Sequence, residues 1–464
     1  MRKAAHCAMA MLWLAACSPA PPPPHLAPGD VPAAFAQPQA APLWPAADWW
    51  RGFRSGALSR LIVEAQAHNT DLAGAAARLE QADAQAREAG AALLPSLGLD
   101  AGLQNYYGRA NGTSLRETDW GAALGASYEL DFWGKNRDAR EAALARRTAS
   151  AADRATVALG VTAAVADGYF RLLALRERIA IAKDNLRTAG DILALVQRRV
   201  SAGYAAPADL AQQRIALAAA AAEVPVLEQQ ELETRDALAI LVGRPPEGFS
   251  VPDADIAALA QPAVTPGLPS MLLTRRPDIA AAEANLRAAH ADLAAARVAF
   301  LPDISLTAAA GAAYPALAAA IDTLPGAGLG TEAGASLVQA IFDGGRLQAR
   351  TDEARARESE LLAAYRGAVI AAFSDVENAE GNLSHLKAQQ DALGEQVRQS
   401  RNWLAAARRQ YAAGSADFLA VADAEQKLAA AQDQLCDIQA ARLIASVALF
   451  KALGGGWRAD ANNG

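Results

Sequence analysis

Residues 272–306 read LLTRRPDIAAAEANLRAAHADLAAARVAFLPDISL. The spacing of the apolar residues predicts an amphipathic helix that stops at Leu301 and Pro302, and the alternation that follows predicts a β-strand. The same succession occurs at 69–99, NTDLAGAAARLEQADAQAREAGAALLPSLGL, where Pro95 takes the place of Pro302. The two prolines are 207 positions apart. A pattern repeated at this distance predicts one structural module used twice.

The repeat extends well past the prolines. It includes ELDFWG at 129–134 and QAIFDG at 339–344, whose glycines are 210 positions apart. It also includes RRVSAG at 198–203 and RQYAAG at 409–414, whose glycines are 211 positions apart. We therefore expect a signal peptide at 1–16, a lipid-anchored Pro-rich tether and flank segment at 17–55, a first repeat at 56–242, a linker at 243–270, a second repeat at 271–454 and a tail at 455–464.

The composition argues against several classes of protein. The 464 residues carry a net charge of −7, whereas nucleic-acid binding requires a basic patch. Beyond the N-terminus the sequence contains no apolar run of 18 or more residues, so no transmembrane helix is expected. Alanine dominates and leucine and valine form thin seams, which favours closely packed helices.

The N-terminus has the pattern of a bacterial secretion signal, with two basic residues followed by a short apolar stretch. It ends in LAAC at 14–17, which resembles a lipobox, and this resemblance implies S-diacylglycerol and N-palmitoyl groups on Cys17. Several acyl chains give stable membrane anchoring. In bacterial lipoproteins, an aspartate directly after the lipidated cysteine is associated with retention in the inner membrane. Ser18 occupies that position here, so the resemblance implies the outer membrane. An ordinary cleavage site followed by a chance cysteine is the alternative.

Two pairs of strands are expected in the body. Apolar residues alternate at 97–103 and 120–130 around a polar loop at 108–118, and the repeat places a second pair at 303–311 and 332–342. Strands of about ten residues with one apolar face are typical of a transmembrane β-hairpin. A hairpin on a soluble sheet is the alternative.

Long helices dominate the rest of the chain. Apolar residues in steps of three and four predict helices at 135–202 and 346–413, each on the order of 100 Å long. Each is expected to end at a glycine turn, Gly203 or Gly414. Further helices are expected at 56–93, 207–242 and 416–453, and an aromatic segment at 44–53 is expected on the flank of the body.

The number of strands decides the assembly. Two hairpins give four strands per chain, and the smallest membrane barrels have eight. One chain therefore cannot hide its strand edges from lipid, and oligomerisation is required if the strands cross a membrane. Three copies would give twelve strands around an open lumen, whereas two copies would give a filled eight-stranded barrel.

The sequence resembles the TolC-like outer-membrane factors, in the lipoprotein branch of tripartite (RND-type) efflux systems. The resemblance rests on the lipobox, the run LPSMLLTRRPDI at 268–279 followed by AAEANL, the duplicated Leu-Pro-to-strand junctions and the two glycine turns. It covers essentially the whole mature chain. It implies a mainly α fold with a transmembrane β part, in which duplicated long helical hairpins form an α-barrel and four strands per chain contribute to a trimeric 12-stranded β-barrel.

The resemblance also implies a function. The chain would be the outer-membrane channel of a tripartite efflux pump, a homotrimeric conduit from the periplasm to the exterior for small molecules such as drugs. Its hairpin tips near Gly203 and Gly414 would dock onto a periplasmic adaptor (membrane fusion) protein and an inner-membrane pump. It would be lipid-anchored in the cell outer membrane and extend into the periplasm, with no catalysis and no cofactor.

The resemblance places a periplasmic gate on the return helix of the second repeat, where the family carries rings of aspartates. In the matching segment at 411–428, YAAGSADFLAVADAEQKL, Asp423 falls on one family position. Ala420 occupies the other, and Asp417 is the nearest substitute, one turn earlier. Three symmetry-related carboxylates would raise one another's pKa and attract cations. The alternative is that Asp417 and Asp423 are ordinary solvated helix residues.

Other functions stay open at this point. A type I protein secretion channel would share the fold, and a coiled-coil scaffold lipoprotein without a pore is a rival that needs no apolar strand face. An enzyme is disfavoured, because no nucleophile elbow, P-loop or metal motif occurs. The mature chain has scattered histidines, His25, His68, His290 and His385. Of the four methionines in the full sequence, three lie in the expected signal peptide. This pattern predicts no metal site and lowers the expectation of a metal-efflux role.

Overall fold

The computed structural model of the protein describes residues 26, 29–35, 42–110, 113–313 and 329–459. Its first half contains α1 (Gly56–His68), α2 (Thr70–Ala91), β1 (Ser96–Ala110), β2 (Thr113–Glu129), α3 (Lys135–Ser201) and α4 (Pro207–Leu241). Its second half contains α5 (Pro277–Val298), β3 (Asp303–Ala313), β4 (Leu329–Val338), α6 (Arg346–Ala412) and α7 (Phe418–Ala452). The prediction of a mainly α fold with duplicated long helical hairpins and a small β part is confirmed.

The strands form one antiparallel sheet in the order β1-β2-β3-β4. The register places Ser96 opposite Ser127 between β1 and β2. Between β2 and β3, Ser127 is also opposite Thr307, and between β3 and β4, Thr307 is opposite Gly334. The two hairpins therefore lie side by side, joined through β2 and β3.

The helix expected at 56–93 is instead two helices that break at Asn69. The Asn69 carboxamide oxygen accepts the backbone N–H groups of Asp71 and Leu72 at 2.9 and 3.0 Å, which caps α2. Its amide donates to the Leu241 carbonyl at 2.9 Å. The prediction of one helix was wrong because the helical spacing of buried residues continues through Asn69, whose side chain caps α2 and also contacts a residue 172 positions away.

The strand bounds also differ from expectation. The polar loop expected at 108–118 is mostly strand, since β1 and β2 pair up to Ala110 and Thr113; residues 111–112 lie outside the described part. In the second hairpin, β4 ends at Val338 rather than 342. Polar side chains mislead here because strand pairing continues beyond the apolar segment of the hairpin.

Contacts within the chain define two compact units, each drawn from both repeats. One contains Arg78–Ser150 and Ala281–Arg366, and therefore the sheet. The other contains Ala27–Ala77, Ala151–Ala280 and Gly367–Gly464, and therefore both turns between the long helices.

The aromatic segment expected on the flank belongs to the core of the second unit. Trp49–Phe53 forms a 3-10 helix, and Phe53 is fully buried. Trp49 stacks on Phe450 with ring centroids 5.0 Å apart, and Phe53 lies 4.9 Å from Phe170. The prediction of a flank position was wrong, because these large apolar side chains fill the space between helices that come from both repeats.

Among the described helices, one stretch within α3 is long and apolar enough by composition to cross a membrane. More than half of that stretch, 56%, is buried inside the fold.

Candidate functional site: the sheet and the hairpin tips

The two faces of the sheet differ in chemistry. Residues opposite each other in an antiparallel pair share a face, so Leu99 shares one with Leu124. The exposed leucines of this apolar face are Leu97, Leu99, Leu103, Leu124, Leu306 and Leu337. The other face, which we call the small-polar face, carries Asp100 and Glu332 among glycines and serines. This alternation is the pattern of strands that separate lipid from a polar lumen.

The sheet has two open edges in the described part of the chain. β1 pairs only with β2, and β4 pairs only with β3. In lipid an unsatisfied backbone N–H or C=O costs several kcal/mol, so an open edge in the membrane has to be covered by another strand.

A polar junction fixes the start of α3 against the sheet. Lys135 Nζ lies 2.7 Å from carboxylate oxygens of both Glu129 and Asp303. Burial lowers the pKa of Lys135, but its hydrogen bonds to these two carboxylates outweigh burial and raise that pKa overall. Trp133 Nε1 donates to the Pro302 carbonyl at 2.9 Å. The junction therefore connects the last residues of β2 to the first residue of β3.

Each long helix ends in a Schellman turn at the predicted glycine. Gly203 and Gly414 have φ values of +78° and +79°, a conformation that glycine adopts without the strain of a Cβ. At the first turn, Tyr204 N donates to Arg199 O at 2.8 Å and Gly203 N to Val200 O at 3.0 Å. At the second, Ser415 N donates to Gln410 O at 2.9 Å and Gly414 N to Tyr411 O at 3.0 Å. We call these two turns the hairpin tips.

The return helices begin differently at the two tips. Asp209 accepts the backbone N–H of Ala206 at 3.2 Å and so closes the first turn of α4. At α7, Asp417 is the N-cap residue, but its side chain makes no capping hydrogen bond. Asp417 is therefore an exposed carboxylate held beside the positive end of a helix.

The hairpin tips of one chain are joined by a contact that the sequence did not indicate. The Arg199 guanidinium donates to the carbonyl oxygen of Tyr411 and lies 4.5 Å from the centroid of its ring. Tyr411 is 3% exposed and packs edge-on against Phe418 at 5.6 Å. Burial raises the pKa of Tyr411, which keeps the phenol neutral.

The two candidate gate aspartates line one cleft of about 610 Å³. Its walls also include Trp403, Leu419 and Ala420. Asp423 forms an ion pair of 3.1 Å with Lys427, whose ammonium lies 5.1 Å from the centroid of the Trp403 ring. The structure thus brings Asp417 and Asp423 to one surface, and it also supplies Asp423 with a cation that sequence reasoning missed.

A polar cluster lies between the helices near this cleft. Gln213 is fully buried, and its amide donates to the Ala189 carbonyl at 3.0 Å. Glu425 faces it, and burial raises the pKa of Glu425 even though Arg408 and Gln213 oppose that shift. Buried polar atoms of Gln213 and Arg408 have no hydrogen-bond partner in the described part of the chain. A cluster with unmet hydrogen bonds is costly to hold in one arrangement.

Of the three cysteines in the sequence, Cys7 and Cys17 lie outside the described residues. Cys436 is 2% exposed, and its thiol donates to the Ala174 carbonyl at 3.3 Å. Burial raises the pKa of Cys436 to about 12, so it is an unreactive thiol. Within the described ranges, no group of three or more histidine, cysteine, aspartate or glutamate side chains could hold a metal ion.

Comparison with protein families decides the identity. The model of the outer membrane efflux protein family matches this chain twice, over residues 61–244 and 268–455. The chain belongs to this family. It is an outer-membrane efflux channel protein, and the predictions of the family, of the efflux function and of the outer-membrane location are confirmed.

Two relatives and one solved structure illustrate the likeness of this efflux channel protein to its family. It is 43% identical over 97% of its length to the pyoverdine export outer membrane protein OpmQ of Pseudomonas putida, of which it covers 96%. It is 30% identical over 89% of its length to the cation efflux system protein CusC of Escherichia coli, of which it covers 89%. It matches the open-state crystal structure of the MtrE outer membrane channel of Neisseria gonorrhoeae with a TM-score of 0.83 and 28% identity, covering 94% of this chain and 98% of that one.

Proposed function

We propose that three copies of this efflux channel protein close a single twelve-stranded barrel in the outer membrane, continued by their helical hairpins as a conduit from the periplasm. The support is the sheet itself, which has four strands, two open edges and one face of exposed leucines. Three copies supply twelve strands, enough for a barrel with an aqueous lumen. A scaffold without a pore would not need such a face.

The cargo that we propose is a siderophore of the pyoverdine kind. The observation that carries this is the 43% identity with a pyoverdine export protein over nearly the full length of both chains, against 30% with a cation efflux protein. Metal cargo is also disfavoured by the chemistry of the chain, because soft metal ions are handled by methionine and cysteine. Met271 is the one methionine outside the signal peptide.

The partners that we propose are a periplasmic adaptor protein and an inner-membrane pump, which supplies the energy. The chain itself performs no catalysis and needs no cofactor. The docking surface would be the hairpin tips at Gly203 and Gly414, where Tyr204 and Leu419 are 77% and 63% exposed. Exposed apolar side chains of this size beside a rigid turn are suited to a protein contact.

We also propose a role for two aspartates and for one cysteine. Asp417 and Asp423, on the walls of one cleft, would form the carboxylate ring of the periplasmic gate, with Lys427 as the countercharge of Asp423. Cys17 would carry the lipid anchor.

Complementation tests the cargo. The chain would be expressed in a Pseudomonas putida strain that lacks its own pyoverdine export outer membrane protein, and pyoverdine would be measured in the medium and in the periplasm. We expect release into the medium to be restored. Continued retention in the periplasm, together with restored resistance to toxic cations or drugs, would move the cargo to another class.

A further inference from the structure

We propose that β4 of one copy pairs with β1 of the next copy in a single defined register, in which Ser336 lies opposite Gly102. This inference rests on the proposed assembly of three copies and specifies the backbone seam that closes it. The strands are duplicated, and the chain already contains one junction between a first-repeat strand and a second-repeat strand, β2 with β3.

The strand residues of the two repeats can be matched one to one. β1 and β3 each begin directly after the repeated proline, so Ser96 is equivalent to Asp303, 207 positions away. Ser96 is opposite Ser127, and Asp303 is opposite Val338. Ser127 is therefore equivalent to Val338, 211 positions away. The next repeated glycines, Gly134 and Gly344, are 210 positions apart, because the second repeat is one residue shorter between the strand pair and this glycine; at the hairpin tips the separation is again 211.

The internal junction between β2 and β3 supplies a register for the outer seam. There Ser127 of the first repeat is opposite Thr307 of the second. The outer seam joins β4, the equivalent of β2, to the next copy's β1, the equivalent of β3. The residue equivalent to Ser127 is Val338. The residue equivalent to Thr307, 207 positions earlier, is Asp100. If the outer seam repeats the inner one, Val338 is opposite Asp100 of the next copy.

The two faces of the sheet agree with this register. Two positions along each strand from that pair, Ser336 is opposite Gly102, and both belong to the small-polar face. The pair between them, Leu337 and Ala101, belongs to the apolar face. Because side chains alternate between the two faces, a slip of one residue would turn Leu337 toward the lumen. Such a slip is unfavourable, since it would move the apolar side chains of the strand to the polar side of the sheet.

The face of the sheet at Gly98 and Gly102 can take a side chain. A Cβ atom placed on either glycine points out of the sheet plane and meets nothing within 4 Å in its own chain, so a cysteine fits there. Pairing along this seam would also satisfy the backbone groups of β1 and β4, which lipid cannot do.

Cysteine cross-linking in the full-length protein tests the register. The predicted pairs are Ser336→Cys with Gly102→Cys, and Leu337→Cys with Ala101→Cys. Opposite pairs alternate between closer and wider spacing, so one of these two adjacent pairs is of the closer kind. The matched control is Ser336→Cys with Gly98→Cys, on the same face but four residues out of register, with Cα atoms roughly 14 Å apart. A disulfide needs Cα atoms within about 7 Å.

We expect at least one predicted pair to give disulfide-linked dimers and trimers, about tenfold more than the control pair, on a non-reducing gel. Each single-cysteine variant should stay uncross-linked. A trimeric native mass with cross-linking of only the control pair, or of no pair, would overturn the register while leaving the trimer intact. A monomeric native mass would overturn the proposed assembly itself, and the seam with it.

Discussion

Arg199 and Tyr411 join the two hairpin tips of one chain although they lie 212 positions apart in sequence. The guanidinium binds the last carbonyls of α6 and covers the buried phenol ring. The repeat cannot make the reciprocal contact, because Gln410 and Val200 occupy the equivalent positions. The polar contact between the two tips is therefore asymmetric, and it adds to an apolar cluster in which Val196 packs with Leu404 and Phe418.

Replacing Arg199 should loosen the second tip. A cation–π contact contributes about 0.5–2 kcal/mol, so Arg199→Ala should speed hydrogen exchange at the Tyr411–Gly414 amides by roughly two- to thirtyfold. Arg198→Ala is the matched control, because Arg198 is exposed and neighbours the same turn. Equal exchange at 411–414 in both variants would mean that the contact does not restrain the tip.

The gate proposal predicts a change in ion selectivity. Asp423→Asn removes three carboxylates from a trimer without changing side-chain shape, so cation selectivity in a planar bilayer should fall and conductance should rise. Asp191→Asn, at an exposed helix position away from this cleft, is the control. If the two variants conduct alike, Asp423 is a solvated helix residue paired with Lys427 and the constriction lies elsewhere.

Lipidation is expected at one cysteine. Cys17→Ala should abolish incorporation of radioactive palmitate, whereas Cys436→Ala should leave it unchanged, since Cys436 is buried with a raised pKa. Label that persists in the Cys17→Ala protein would contradict the lipoprotein assignment.

The buried carboxyl of Asp167 should make the free energy of unfolding depend on pH. Burial raises the pKa of Asp167 from 3.8 to about 6, against the opposing charges of Arg171 and Lys451, and its Oδ1 has no hydrogen-bond partner in the described chain. The carboxyl favours folding when protonated, so its contribution is fully present below pH 3.8 and is lost as the pH rises through about 6.

Asp167→Asn should therefore stabilise the protein above pH 6, by up to about 3 kcal/mol, at about 1.4 kcal/mol per unit of pKa. Thermal unfolding of the detergent-solubilised protein at pH 5 and pH 8 measures this. The gain in melting temperature should be larger at pH 8. A gain that is the same at both values, or a loss at pH 8, would show that the buried carboxylate is not the cause.

Much of the fold follows from local sequence. The long helices end within one residue of expectation, at Ser201 and Ala412, because a glycine with positive φ terminates them and leaves a local signature. The break at Asn69 was missed although asparagine is a preferred N-cap residue, because the spacing of buried residues continues across it from Ala65 to Ala75. The aromatic core around Phe53 was missed because it depends on helices from both repeats, which local patterns cannot reveal.

In the candidate site, too, local features can be predicted from the sequence and long-range contacts cannot. Gly203, Gly414 and the spacing of Asp417 and Asp423 can be read from the sequence, because turns and helix faces are local. The contact of Arg199 with Tyr411 depends on how two hairpins that are distant in sequence pack together. The spacing of apolar residues along each helix does not predict which residues meet. The pairing of Asp423 with Lys427 was available in the sequence as an i, i+4 pair.

The central claim is that three copies form one conduit. The most direct test is single-channel conductance of the purified protein in a planar bilayer, with its native mass measured on the same preparation. We predict a trimeric mass and small, cation-selective openings. A monomer that never conducts would contradict the account.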